Sequence, residues 1–132
     1  MVETALVLPI VLLVSVSIFE FGRAYQTWQV LTNAAREGAR IAILPGTVDS
    51  DVTARVQQYL TAGQLDNPTG ATVAIDHNQT ISIGTGTATA SRVTVNYPFS
   101  FIVLNPVANL VVSGSTLGTN FTMSAAAEMR NE

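Results

Sequence analysis

The chain has 132 residues, enough for one domain and too few for two full cores. It contains no Cys, one His and no Lys; its six basic residues are all Arg, and its net charge is −3. This excludes a disulfide framework, a thiolate metal site and a His-rich site, and it leaves no basic patch with which to bind nucleic acid. Apolar residues reach 48% while charged ones make up only 11%, so part of the chain is expected to live outside water.

The apolar excess lies at the front. Sixteen residues, Thr4 to Phe19, separate Glu3 from Glu20 without a charge. As a helix this run spans about 24 Å, somewhat less than the roughly 30 Å core of a bilayer. A secretory signal is not matched, because Glu3 stands where a basic region belongs and no small-residue cleavage site follows. Nothing basic precedes the run, so an ordinary positive-inside anchor is not matched either, which implies a removed leader or an unusual anchor.

The helical pattern continues. From Glu20 to Ile43 there is no Pro, and only Gly22 and Gly38 interrupt the good helix formers. Phe21, Tyr25, Trp28 and Leu31 or Thr32 fall on one face, an aromatic stripe expected to pack. Ala35, Ala39, Ala42 and Ile43 continue an apolar side. Glu20 and Arg23 are spaced to pair within the helix or between subunits, and Arg36 and Arg40 to pair with Glu37 or a neighbouring chain. Pro45 and Gly46 end the helix. Its front half is apolar all round and must be covered by lipid or by other copies.

Beyond the turn, Asp49 or Ser50 is expected to cap a short helix carrying Val52, Val56, Tyr59 and Leu60 and ending near Gly63. The period then changes to alternation. Strands are expected over Thr72 to His77, Arg92 to Tyr97 and Asn120 to Ala127, with a fourth short one around Ile81 to Ile83. Gly84 to Ala90 reads as a flexible hairpin loop. Tyr97 to Val112 is apolar and broken by Pro98 and Pro106, either a buried connection or an exposed surface that meets another subunit.

No catalytic, cofactor-binding or metal-ligating set emerges, and an enzyme is not expected. His77 reads as an ordinary surface histidine. Asp49, Asp51 and Asp66 lack a calcium-loop spacing, and Gly84-x-Gly86 opens no helix, so it is no phosphate loop. Sixteen Thr and nine Ser, mostly beyond the long helix, suggest solvated loops. Asn78 and Asn120 fit the N-glycosylation pattern, and Thr85, Thr87 and Thr89 form a tract suited to O-glycosylation.

Several boxes carry a family resemblance. Val2-Glu3-Thr4-Ala5-Leu6-Val7-Leu8-Pro9, Ile18-Phe19-Glu20-Phe21-Gly22-Arg23-Ala24 and Thr32-Asn33-Ala34-Ala35-Arg36-Glu37-Gly38-Ala39-Arg40 resemble TadE-like proteins, as more loosely do Val93 to Phe99 and Ala127 to Arg130. That family comprises minor pilins or pseudopilins of Tad (Flp) type IV-like pili. The resemblance implies prepilin-peptidase processing, residence in the inner membrane before assembly, and extraction by the pilus machinery into an extracellular or envelope-spanning filament. Type IV-type pilins usually carry a glutamate at the fifth mature residue that neutralises a neighbour's amine; here the first acid is Glu3, with Thr4 in place of the usual aromatic.

The expected fold is α+β and pilin-like. A long helix over residues 1–44, with its membrane or filament-core segment over 1–21, packs by its rear half on a small antiparallel sheet in a head formed by 45–132. The expected role is a structural subunit of a homopolymer or a mixed filament with other pilins. Its assembly residues are Met1, Glu3, Leu6, Leu8, Pro9, Val11, Leu12, Phe19, Glu20 and Arg23. The alternatives are a membrane-retained pseudopilin that primes or caps assembly, and a bitopic envelope domain that binds a ligand.

Overall fold

The computed structural model describes residues 2–131. Its elements run α1 (Val2–Ala42), α2 (Asp49–Ala62), a 3-10 turn (Pro68–Gly70), β1 (Thr72–Ile83), β2 (Gly86–Phe99), α3 (Leu104–Val111) and β3 (Phe121–Arg130). This is an α+β pilin-like arrangement: one long N-terminal helix, short further helices and a three-stranded antiparallel sheet in the order β1-β2-β3. The 41 residues of α1 give it a length of about 62 Å. Two compact units emerge: residues up to Gln26 with Pro98–Phe121, and Thr27–Tyr97 with residues from Thr122 onward.

The second unit holds most of the core. The rear part of α1 buries Leu31, Ala34, Ala35 and Ala39, with Val52, Val56 and Leu60 of α2 and Val93 and Val95 of β2. Small residues on this face of α1 let it approach its neighbours closely. A Cβ on Gly38 would lie 2.7 Å from Val56 Cγ2 and 3.1 Å from Val93 Cγ1. Gly38→Ala should therefore overpack this contact. The overpacking cost, about 1–3 kcal/mol, exceeds the helix-propensity gain of about 1 kcal/mol. A melting temperature lower by a few degrees is the expected result; an unchanged or higher one would show that Val56 yields freely.

The helix α2 begins one position away from the expected cap. Val48 occupies the N-cap with an extended backbone and no side-chain cap bond, which puts Asp49 and Asp51 in the first turn, where their charges suit the helix dipole. Tyr59 is exposed, unlike Val52, Val56 and Leu60. Glu37 of α1 accepts from Arg55 of α2 at 3.0 Å, while Arg40 lies 4.0 Å away. Both arginines are largely exposed, so these pairs contribute little to stability.

In the sheet, β1 and β2 pair from Thr72↔Asn96 to Ile83↔Gly86, with an irregularity between Asp76 and Gln79. Ile81 to Ile83 is thus the far end of β1, not a fourth strand. The expected loop over Gly84 to Ala90 is corrected as well: only Gly84 and Thr85 turn, while Gly86 to Ala90 already pair with β1. The small residues of that stretch carry little strand signal alone; their partners on β1 hold them extended. At the irregularity, Asp76 Oδ1 accepts the Asn78 N–H at 2.9 Å and Oδ2 accepts Gln79 Nε2 at 2.6 Å. The Asn78 backbone bond, then the Gln79 side chain, hold the Asp76 carboxyl below its ordinary range.

The third helix went unexpected. Pro106 lies in the first turn of α3, where its missing N–H is not needed, so it starts the helix instead of breaking the segment. Leu104, Val107 and Ala108 are buried, while Ile102, Leu110 and Val112 are exposed, so the Tyr97–Val112 stretch is partly buried connection and partly open surface.

Candidate functional site

The first unit contains most of the residues that the sequence marks as candidates for assembly. Along the front of α1, Leu6 is 70% exposed, Ile18 70% and Phe19 68%, and Leu8, Val11 and Leu12 are also exposed. Pro9 is half-buried and sits inside the helix, where it removes one donor and leaves the Ala5 carbonyl without its usual partner. Glu3 is exposed in the first turn; Met1 lies outside the described residues. The two serines in the run bond back to the preceding turn, Ser15 to the Val11 carbonyl at 2.9 Å and Ser17 to the Leu13 carbonyl at 2.7 Å. Their hydroxyls are therefore satisfied in an apolar setting. Among the described residues α1 is the one helix long and apolar enough to cross a membrane, with a mean hydropathy of 2.3 in its most apolar stretch.

At the end of the apolar run the polarity inverts. Glu20, one residue past Phe19, is fully buried. Its Oε1 accepts the backbone N–H groups of Ile102 at 3.2 Å and Val103 at 3.0 Å. Its Oε2 accepts Arg23 Nη2 at 3.0 Å. Arg23 also donates to the Ser100 carbonyl, and its guanidinium lies 4.6 Å above the Phe99 ring centre. The Glu20–Arg23 pair is thus intrahelical, yet it is no surface pair: it fastens the segment after β2 to α1. A buried carboxylate is tolerable here because charged and backbone donors together satisfy it.

Around this latch four phenylalanines meet edge-on or tilted. Ring centres lie 6.0 Å apart for Phe21–Phe101, 5.1 Å for Phe99–Phe101, 5.6 Å for Phe99–Phe121 and 5.7 Å for Phe101–Phe121. The aromatic stripe expected on α1 is corrected at this point. Phe21 is 61% exposed despite its contact with Phe101, and Tyr25 and Trp28 are exposed too; only Leu31 of that face is fully buried. Small residues, not the aromatics, take the packing side of the helix.

Other candidates fall elsewhere. His77 is more than an ordinary surface histidine. Its Nε2 lies 2.8 Å from Asp49 Oδ1 and its Nδ1 3.1 Å from Ser91 Oγ. Ser91 donates to Asn131 Oδ1 at 2.7 Å, and Asn131 Nδ2 donates to the His77 carbonyl at 3.0 Å. The chain of bonds joins the start of α2 to β1, β2 and the residue after β3. Ser91 is only 1% exposed and its hydroxyl bonds both His77 and Asn131, so it is closed off from solvent. Asp49 is drawn into this network instead of capping α2. No group of three metal-ligating side chains occurs among the described residues. Asn78, Asn120, Thr85, Thr87 and Thr89 are all exposed, Thr87 and Thr89 on β2 and not in a loop.

Sequence reading missed Phe99, Phe101, Phe121 and the backbone donors of Ile102 and Val103 as partners of α1. The available signal was an acid and an arginine one helical turn apart at the end of an apolar run, together with the absence of any charge from Pro98 to Ala127.

Comparison with curated proteins and with solved structures returned no match. The family model described as TadE-like protein matches residues 1–40, which are almost the whole of α1 and carry Glu3, the exposed apolar run, Glu20 and Arg23. Over this N-terminal helix the chain is similar to TadE-like proteins.

Proposed function

We propose that the chain is a structural pilin-like subunit that assembles through α1 into a type IV-like filament of the Tad/Flp kind. The TadE-like match over residues 1–40 implies association with Tad pili, and with the apolar helix it supports a membrane-anchored envelope protein. The observation that carries the finer reading is the bare apolar surface between Glu3 and Glu20, too exposed to be stable in water. Lipid covers it before assembly, and the helices of other copies, or of other pilins, cover it afterwards. A prepilin peptidase and the pilus machinery act on the chain in this reading, and its role is structural, not enzymatic.

Glu3 supplies the register. A buried carboxylate and a buried amine are each costly alone, and staggered copies satisfy both by pairing one chain's amine with the next chain's Glu3. Glu3→Gln removes the charge with little change in size. Membrane insertion should survive, while the ratio of sheared fibre to membrane-bound protein should fall sharply. A parental ratio would reduce Glu3 to a membrane-edge residue. Recovery of the parental chain only from the inner membrane would instead favour a retained pseudopilin that primes or caps assembly.

A further inference from the structure

We propose that the segment between β2 and β3 is a second membrane contact, a collar that rests in the lipid headgroup region around the exit of α1. The proposal rests on the membrane-anchored reading above. It starts from charge: thirty consecutive residues, Pro98 to Ala127, carry none. Within this stretch Ile102, Val103, Leu110, Val111, Val112 and Leu117 are exposed, Leu110 to 82%. A water-facing loop has no use for such a surface, and a lipid boundary does.

Position makes the bilayer interface the fitting occupant. Glu20 is the first polar residue after the apolar run, and its carboxylate holds the N–H groups of Ile102 and Val103. These residues are therefore fixed at the level where α1 leaves the hydrocarbon. The eight residues of α3 begin immediately afterwards and span about 12 Å. A helix this short stays near that level, and lying in the interface plane it can bury its exposed apolar side chains by the 5–10 Å typical of interfacial helices.

The loop after α3 is held close as well. Asn105 Nδ2 donates to the Leu117 carbonyl at 3.0 Å. Gly118, at φ +75°, lies so near α3 that a Cβ there would be 2.7 Å from the Asn105 nitrogen. Leu117 is thereby kept beside α3, while the polar side chains of Asn105 and Asn109 bond to each other at 3.2 Å.

The test uses the full chain in phosphatidylcholine–phosphatidylglycerol vesicles with lipids brominated near the headgroup or near the chain ends. Trp28→Phe removes the native tryptophan, and Leu110→Trp or Leu117→Trp places a probe at an already exposed site. Leu12→Trp reports on the spanning helix. The collar predicts that Trp at 110 and at 117 emits to the blue and loses intensity to the shallow bromines, unchanged when more lipid dilutes the protein. Leu12→Trp should be quenched by the deep bromines. Quenching of Leu12→Trp alone would overturn the collar and leave the membrane reading intact. A blue shift at 110 that is insensitive to bromine and fades on dilution would replace the bilayer with a second copy of this chain. Failure at all three sites would overturn the collar together with the membrane-anchored reading.

Discussion

Glu20→Leu is expected to release the Pro98–Phe121 segment from α1. The substitution keeps approximate size but removes the acceptor for the Ile102 and Val103 N–H groups and for Arg23. Removing one partner of a buried, hydrogen-bonded charge pair typically costs about 3–5 kcal/mol. Each stranded donor otherwise costs about 1–3 kcal/mol, so water must enter to satisfy them. The first unit should open locally while the second keeps its core, because the buried residues of α2 and β2 do not depend on Glu20. Hydrogen exchange on the detergent-solubilised chain reads this directly. The amides of Ile102 and Val103 should lose protection while those of Val93 and Val95 retain it. Glu20→Gln keeps an acceptor for the backbone and should lie between the parent and Glu20→Leu. Full protection of Ile102 and Val103 in Glu20→Leu would show that the phenylalanine contacts alone hold the segment.

The second large effect is expected at Val11. This residue is exposed midway along the apolar run. Val11→Asp places a carboxylate where other helices or lipid tails must pack, at a cost of several kcal/mol unless a partner is found. Fibre yield should fall to background, and insertion should weaken too. The α2 and sheet region should stay folded, with unchanged protection of its strand amides. Normal fibres from Val11→Asp would show that the run does not form a filament core.

What the sequence revealed follows the range of the forces involved. The long helix was legible because its signals are local: no Pro from Glu20 to Ile43 and a steady helical period. The three half-buried strands were legible from alternation. The partners of Glu20 were not, because Ile102 and Val103 lie more than eighty residues away in sequence. The side of α1 that packs was misread because Phe21, Tyr25 and Trp28 have the same spacing whether they face a core or the surface. The close approach at Gly38 decides the matter, and it becomes visible only when Val56 and Val93 are placed beside it. Pro106 misled for a related reason. It breaks a helix in the interior but starts one in the first turn, and the sequence does not show where that turn falls. His77 gained its role from Asp49, Ser91 and Asn131, which three different parts of the chain contribute.

The central claim is that the exposed run of α1 becomes the core of a filament. The most direct measurement is electron cryomicroscopy of material sheared from cells that make the parental chain. Fibres should appear whose central density is a bundle of helices spaced about 8–10 Å apart, the ordinary packing distance of helix axes. Residues 3 to 19 should fit that density, with Glu3 beside a neighbour's amine. Fibres built without this helix at their centre, or a sheared fraction without the chain while the inner membrane holds all of it, would contradict the account.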